Sequence, residues 1–167
     1  MSYEITFAGN LKNEFLNHLS SLDDRLSFRI FGEPRNMDIE SDNVKYCGSF
    51  TPDDLSSLCG SWGLVWDGPS VDCNTGIAGM YQRINSPHKA SMYIVSGMPI
   101  IASSDAAIAS IIKEYRLGIL VNSLHELYSE LSKVSEKEYR EMLDNVKAYS
   151  NRLRAGHNIL SALSQLS

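Results

Sequence analysis

The chain has 167 residues, 43% of them hydrophobic, enough for one domain with a real core and too few for several. A net charge of −5 with no run of lysine or arginine excludes the basic stripe that a nucleic-acid groove needs. No apolar stretch approaches the ~18 to 20 residues of a membrane span, and no basic region precedes an apolar one at Met1-Ser2-Tyr3-Glu4. Three cysteines (Cys47, Cys59, Cys73) at no metal-like spacing read as reduced thiols of a cytoplasmic protein, with core packing as their ordinary role.

Short apolar runs alternate with helical patterns along the chain, the rhythm of an α/β fold with a mainly parallel sheet. Glu4-Ile5-Thr6-Phe7-Ala8 reads as the first strand, followed by the turn Gly9-Asn10 and a helix presenting Phe15, Leu16 and Leu19. Ser27 to Phe31 is a second strand, stopped by Gly32-Glu33-Pro34; a polar loop over Asn36 to Asn43 leads to a short third strand, Val44 to Cys47. Thr51-Pro52-Asp53-Asp54 has the pattern of a helix start: a cap, proline at the first position and acids in the first turn. Gly63-Leu64-Val65-Trp66 is a buried strand ended by Asp67-Gly68-Pro69, and a long loop containing Gly76 and Gly79 follows.

The next helix start carries the functional signal. Ser86 is suited to cap it, and Pro87 fits the first helical position, where a missing N–H costs nothing. The free N–H groups of His88 and Lys89 and the helix macrodipole then favour an anion. A lysine in the first turn opposes the dipole unless an anion, such as a phosphate, lies between the two. Gly97-Met98-Pro99 ends this helix, and Ile100-Ile101-Ala102 is a buried strand. Open α/β proteins place their ligands where such helix starts meet a parallel sheet.

Ser104-Asp105 opens a further helix with Ile108, Ile111, Ile112 and Tyr115 on one face, and Gly118 to Val121 is the last strand. Ser123-x-x-Glu126 and Ser135-x-x-Glu138 have the form of capping boxes, the second starting a long helix that runs to Gly156. Ile159, Leu160 and Leu163 belong to a short terminal helix. The expected fold is therefore a Rossmann-like, three-layer αβα domain over residues 1–167, with a mainly parallel sheet of about six strands.

The pieces Phe7-Ala8-Gly9-Asn10-Leu11, Tyr46-x-Gly48-Ser49-Phe50-Thr51, Gly63-Leu64-Val65-Trp66-Asp67 and Asn85-x-Pro87-His88-Lys89 through Gly97-x-Pro99-Ile100-Ile101 carry a resemblance. In this order the chain resembles the C-terminal, donor-binding half of a GT-B glycosyltransferase. It looks most like bacterial β-1,6-galactofuranosyltransferases and the related glucosyltransferases that extend glycans on serine-rich adhesins. The resemblance implies a site for a UDP-sugar, with the diphosphate on Ser86, His88 and Lys89. It further implies base or sugar contacts at Asn10, Phe50, Thr51, Asp67 and Asn85, with Phe50 stacking on uracil. Asn10 and Asp67 read equally as turn residues, His88 as a half-exposed helix-start residue, and Tyr81 and Arg83 as solvated.

Two departures from the family pattern stand out. Many retaining GT-B enzymes carry a pair of glutamates across this helix, whereas between Gly60 and Gly97 this chain has none; the corresponding places fall near Asn85 and Met92. The chain also looks like the donor half alone, so it is expected to bind nucleotide yet be inactive by itself, with helix 156–167 crossing to another domain or packing on a second copy. No metal or other cofactor is implied, for there is no Asp-x-Asp. A non-catalytic nucleotide- or partner-binding module and a sugar-nucleotide epimerase half remain as alternatives. A dehydrogenase-type site is disfavoured by Ala8-Gly9-Asn10-Leu11 and by the lack of an acid placed to hold a ribose; Ala8-Gly9 and Cys47-Gly48 stand where a receiver domain needs acids.

Overall fold

The computed structural model describes residues 3–33, 41–51, 54–73 and 88–155. Six strands form a sheet: β1 (Glu4–Ala8), β2 (Ser27–Phe31), β3 (Val44–Tyr46), β4 (Trp62–Val65), β5 (Ile100–Ser103) and β6 (Gly118–Val121). All pairs are parallel, in the order β3-β2-β1-β4-β5-β6. Between β1 and β4 the direction of winding reverses, which opens a crevice at the carboxyl ends of the strands.

Alternate residues of each strand feed two cores, so the sheet is covered on both faces. Ile5, Phe7, Phe28, Ile30, Trp62, Leu64 and Ile101 pack with Phe15, Leu16 and Leu19 and with Leu127 and Leu131 of helix α3 (Leu127–Lys133). Ala8, Phe31, Val65, Ile100 and Ala102 face helices α1 (His88–Val95), α2 (Ala109–Tyr115) and α4 (Glu136–Arg154). The expected three-layer αβα architecture is thus present. No helix among the described residues is long and apolar enough to cross a membrane.

Several local expectations are corrected. The segment after β1, Glu14–Ser21, is a 3₁₀ helix that still buries Phe15, Leu16 and Leu19. Asn13 stands at its N-cap, but its amide is engaged elsewhere, donating to Asp67 at 2.9 Å and accepting from the N–H of Gly68. The Thr51 helix start yields only turns among residues 54–61, because Asp54 accepts from the Ser56 N–H in an Asx turn that competes with helix.

Helix α2 begins at Ala109 and not at Ser104, whose hydroxyl bonds Asn122 in place of capping. At Ser123 only half a box forms, since Glu126 accepts from Asn122 and not from Ser123. The Ser135–Glu138 box is complete. Cys59 and Cys73 are exposed and not core residues, and all three thiols are free. The cap Ser86, with Asn85, Pro87, Tyr81, Arg83, Gly156 and the terminal helix, lies outside the described residues.

Helix α1 sits close on the sheet because Gly63 has no side chain. A Cβ there would fall 2.2 Å from Cγ of Tyr93. At the other end, Gly97 turns the chain off α1 with a φ of +81°, a conformation that suits glycine. Gly63→Ala is expected to force Tyr93 and α1 outward and to destabilise the domain by about 1–3 kcal/mol, as overpacking does. Urea denaturation would show this as a lower midpoint at unchanged slope.

Candidate functional site

A cleft of about 590 Å³ opens at the carboxyl ends of β1, β2 and β3, against the first two turns of α1. Its floor is Ala8 and Gly9 after β1, Gly32 and Glu33 after β2, and Ser49 and Phe50 after β3. His88, Lys89, Ser91, Met92 and Val95 of α1 form one wall, and Leu55 closes the far side.

The floor is held flat by backbone bonds that continue the sheet: Gly9 N–H donates to Phe31 O and Gly32 N–H to Gly48 O, each at 3.0 Å. Gly32 is obligatory here, since a Cβ would lie 2.3 Å from the Gly9 carbonyl oxygen. The last N–H of β1, at Ala8, donates to the Tyr93 hydroxyl at 2.8 Å. Burial pushes the Tyr93 phenol well above its ordinary pKa, so it stays a neutral partner.

Lys89 is the central charge. Its stem passes over Gly9, where a Cβ would come within 2.8 Å of Cε, and its ammonium lies 4.8 Å from the centre of the Phe7 ring. The ammonium donates to Asp67 at 2.5 Å and to the carbonyl of Trp66 at 3.4 Å. Burial pushes its pKa below the ordinary lysine range, and the Asp67 carboxylate works against that shift.

The sequence candidates are therefore divided. Lys89, His88 and Phe50 meet in the cleft, His88 at its exposed rim and Phe50 edge-on to Phe31 at 6.1 Å between ring centres. Asp67 stands behind Lys89, bonded to it and to Asn13. Asn10 and Thr51 are exposed and are not among the described residues lining the cleft. The Asn10 side chain accepts from Lys12 N–H in a local turn, and the Thr51 carbonyl accepts from Asp54 N–H. Ser86 and Asn85 fall outside the described residues.

Sequence reasoning missed three features. It took Gly32-Glu33-Pro34 for a strand stop, yet Glu33 lines the cleft. Glu33 stands two residues past the end of β2, with Gly32 between them. Met92, Val95 and Leu55 form an apolar wall opposite Phe50 that no motif marked. Tyr93, given no role in the sequence, holds the end of β1 through its hydroxyl. Only Glu33 had a usable signal, an acid directly after a strand-ending glycine.

The chain matches the family described as "Glucosyltransferase 3-like, C-terminal domain" over residues 5–166. It belongs to that family. It is 30% identical over 165 residues to the β-1,6-galactofuranosyltransferase WbbI of Escherichia coli (strain K12), covering 97% of this chain and 48% of that protein. It is 31% identical over 156 residues to glucosyltransferase 3 of Streptococcus gordonii, covering 92% of this chain and 45% of the relative. The chain spans about half the length of the curated relatives it matches.

Among solved structures, Anabaena Alr3699/HepE in complex with UDP-glucose superposes with a TM-score of 0.63 at 12% identity, over 98% of this chain and 49% of that one. WaaG, a glycosyltransferase involved in lipopolysaccharide biosynthesis, gives 0.60 at 15% identity, over 90% and 43%. These likenesses bear out the fold: a Rossmann-like half of the GT-B architecture.

The Lys89–Asp67 pair predicts a pH-dependent stability. Both side chains keep roughly a fifth of their surface exposed (17% and 19%), so losing one partner costs less than the ~3–5 kcal/mol of a fully buried pair. Because the folded pKa of Lys89 is depressed, the unfolded chain binds its proton more firmly. Stability from this group therefore rises with pH between the folded value and the ordinary 10.5. In Asp67→Asn the folded value drops further and the rise begins at lower pH. Urea denaturation at about pH 7 and about pH 9.5 should show the variant's deficit narrowing as pH rises; an unchanging deficit would refute the coupling.

Proposed function

We propose that this chain is the donor-binding half of a glycosyltransferase that takes a sugar, galactofuranosyl, glucosyl or similar, from a UDP-sugar to a glycan acceptor. The observation that carries this reading is Lys89, a desolvated ammonium at the start of α1 and at the winding reversal of the sheet, facing an otherwise largely apolar cleft. Membership of the glucosyltransferase 3-like family and the fold shared with the UDP-glucose-bound HepE support it.

On this reading the diphosphate lies at the described start of α1, on free backbone N–H groups and Lys89, with His88 donating from the rim. The base rests on Phe50 and the apolar wall. Transfer breaks the bond from the sugar's anomeric carbon to the diphosphate and forms one to the acceptor oxygen, whose proton a base must take. Lys89 and the helix dipole stabilise the charge that grows on the departing UDP, so the reading uses no metal. Aligning and deprotonating the acceptor needs groups facing the cleft from another domain, and the chain alone is expected to turn over almost nothing. A cytoplasmic, reducing setting belongs to the same proposal, in keeping with the three free thiols.

Calorimetric titration with UDP in EDTA should show saturable binding to the wild type. Lys89→Ala should weaken it by about tenfold or more, ~1.4 kcal/mol. A folded wild type that binds no nucleoside diphosphate would leave a partner-binding module of the same fold as the better reading.

A further inference from the structure

We propose that Glu33 reads the ribose: its carboxylate accepts hydrogen bonds from the vicinal hydroxyls of the bound nucleotide, so the site selects ribonucleotides over deoxyribonucleotides. This rests on the nucleotide-binding reading given above and goes beyond it, to which chemical feature of the nucleotide is inspected and by which residue.

The strand order supplies the argument. Neighbouring strands lie about 4.8 Å apart, so their carboxyl ends form a ruler across the cleft floor. At one end, after β1 and β4, the Lys89 ammonium sits above Gly9 and beside Trp66 O. At the other end, after β3, the floor becomes Phe50, faced by Met92, Val95 and Leu55. The first of these suits phosphate and the second suits a base. What lies between them is the end of β2, Gly32 and Glu33. A nucleoside diphosphate spanning the two ends must pass its ribose over β2.

The chemistry of Glu33 fits that place and little else in such a ligand. A carboxylate is an acceptor only, and phosphate oxygens and base carbonyls offer it no donor. Glu33 is exposed, and no hydrogen bond or ion pair joins it to the other described residues. An uncompensated acid in an anion-binding cleft weakens binding unless the ligand brings donors to it. The ribose diol brings two, side by side, matched to two carboxylate oxygens. The position is also pre-set, because Gly32 donates its N–H to Gly48 O and lies so close to Gly9 O that a Cβ would clash. The transferred sugar's hydroxyls and the uracil N3–H are the other sources of a donor; UDP lacks that sugar, and 2′-deoxy-UDP keeps the N3–H while losing the 2′-hydroxyl, so the pair of ligands separates the three.

The test is calorimetry on wild type, Glu33→Ala and Glu33→Gln with UDP and with 2′-deoxy-UDP, after thermal melts confirm that the variants fold. The wild type should favour UDP by about tenfold, the scale of a charge-assisted hydrogen bond. In Glu33→Ala the two nucleotides should bind within about twofold of each other, with Glu33→Gln in between. The ratio is the readout, since removing a negative charge acts on both affinities together. An unchanged ratio in Glu33→Ala, or no preference in the wild type, overturns the assignment while UDP binding that depends on Lys89 leaves the donor-site reading intact. A Glu33→Ala loss seen only with a UDP-sugar assigns the carboxylate to the transferred sugar and likewise overturns it. Failure of the wild type to bind either nucleotide removes both readings.

Discussion

The fold and the site both depend on a desolvated ammonium held at the point where the sheet reverses its winding. Lys89 cannot sit there on helix propensity or on burial, because a first-turn cation opposes the dipole and burial disfavours its charge. Asp67, at the end of β4, answers the second problem, and Asn13 fixes Asp67 in turn. The arrangement therefore ties three consecutive pieces of the sheet's edge, the turn after β1, the end of β4 and the start of α1, through one charge. Gly9 leaves the lysine stem room to pass close over the turn after β1. A diphosphate placed at the mouth of this assembly would meet a cation whose position was settled before it arrived, so little ordering remains to be done on binding.

Much of this was legible because the strands announce themselves. A parallel sheet buried on both faces writes apolar runs into the sequence, and Glu4–Ala8, Ser27–Phe31 and the strands near Gly63, Ile100 and Gly118 were placed to within about a residue or two. Helix starts were harder for a stated reason. Serine, asparagine and aspartate cap helices with the same oxygen that they use for turns and long-range bonds. Asn13, Asp54 and Ser104 each spend that oxygen elsewhere, whereas Ser135 does not. A sequence shows the capping residue but not the competing partner, which for Asn13 lies beyond β4.

The site divides in the same way. Lys89 was legible because its residue type is wrong for its position unless something compensates. Asp67 was seen, as a hydroxyl ligand or a turn residue, but its pairing with Lys89, 22 residues away in the sequence, was not. Phe50 was found through the loop after β3, while Leu55, Met92 and Val95 were not, since apolar residues that face a cleft carry the same pattern as those that face a core. Glu33 was passed over because glycine and proline on either side of it read as punctuation.

The two ends of the cleft are also built to different standards of rigidity. Helix α1 is clamped along its length: Tyr93 holds the end of β1, Ala90 and Ile94 share a core with Val146 and Tyr149 of α4, and Arg154 donates to the carbonyl of Val95. The opposite side, Ser49, Phe50 and Leu55, is carried by the loop between β3 and β4, with Phe50 half-buried against the core and edge-on to Phe31. Substitution at the loop end changes that wall of the cleft without disturbing Lys89, because no hydrogen bond among the described residues links the two. The helix end of the cleft is therefore fixed by packing and hydrogen bonds, while the loop end carries fewer constraints among the described residues.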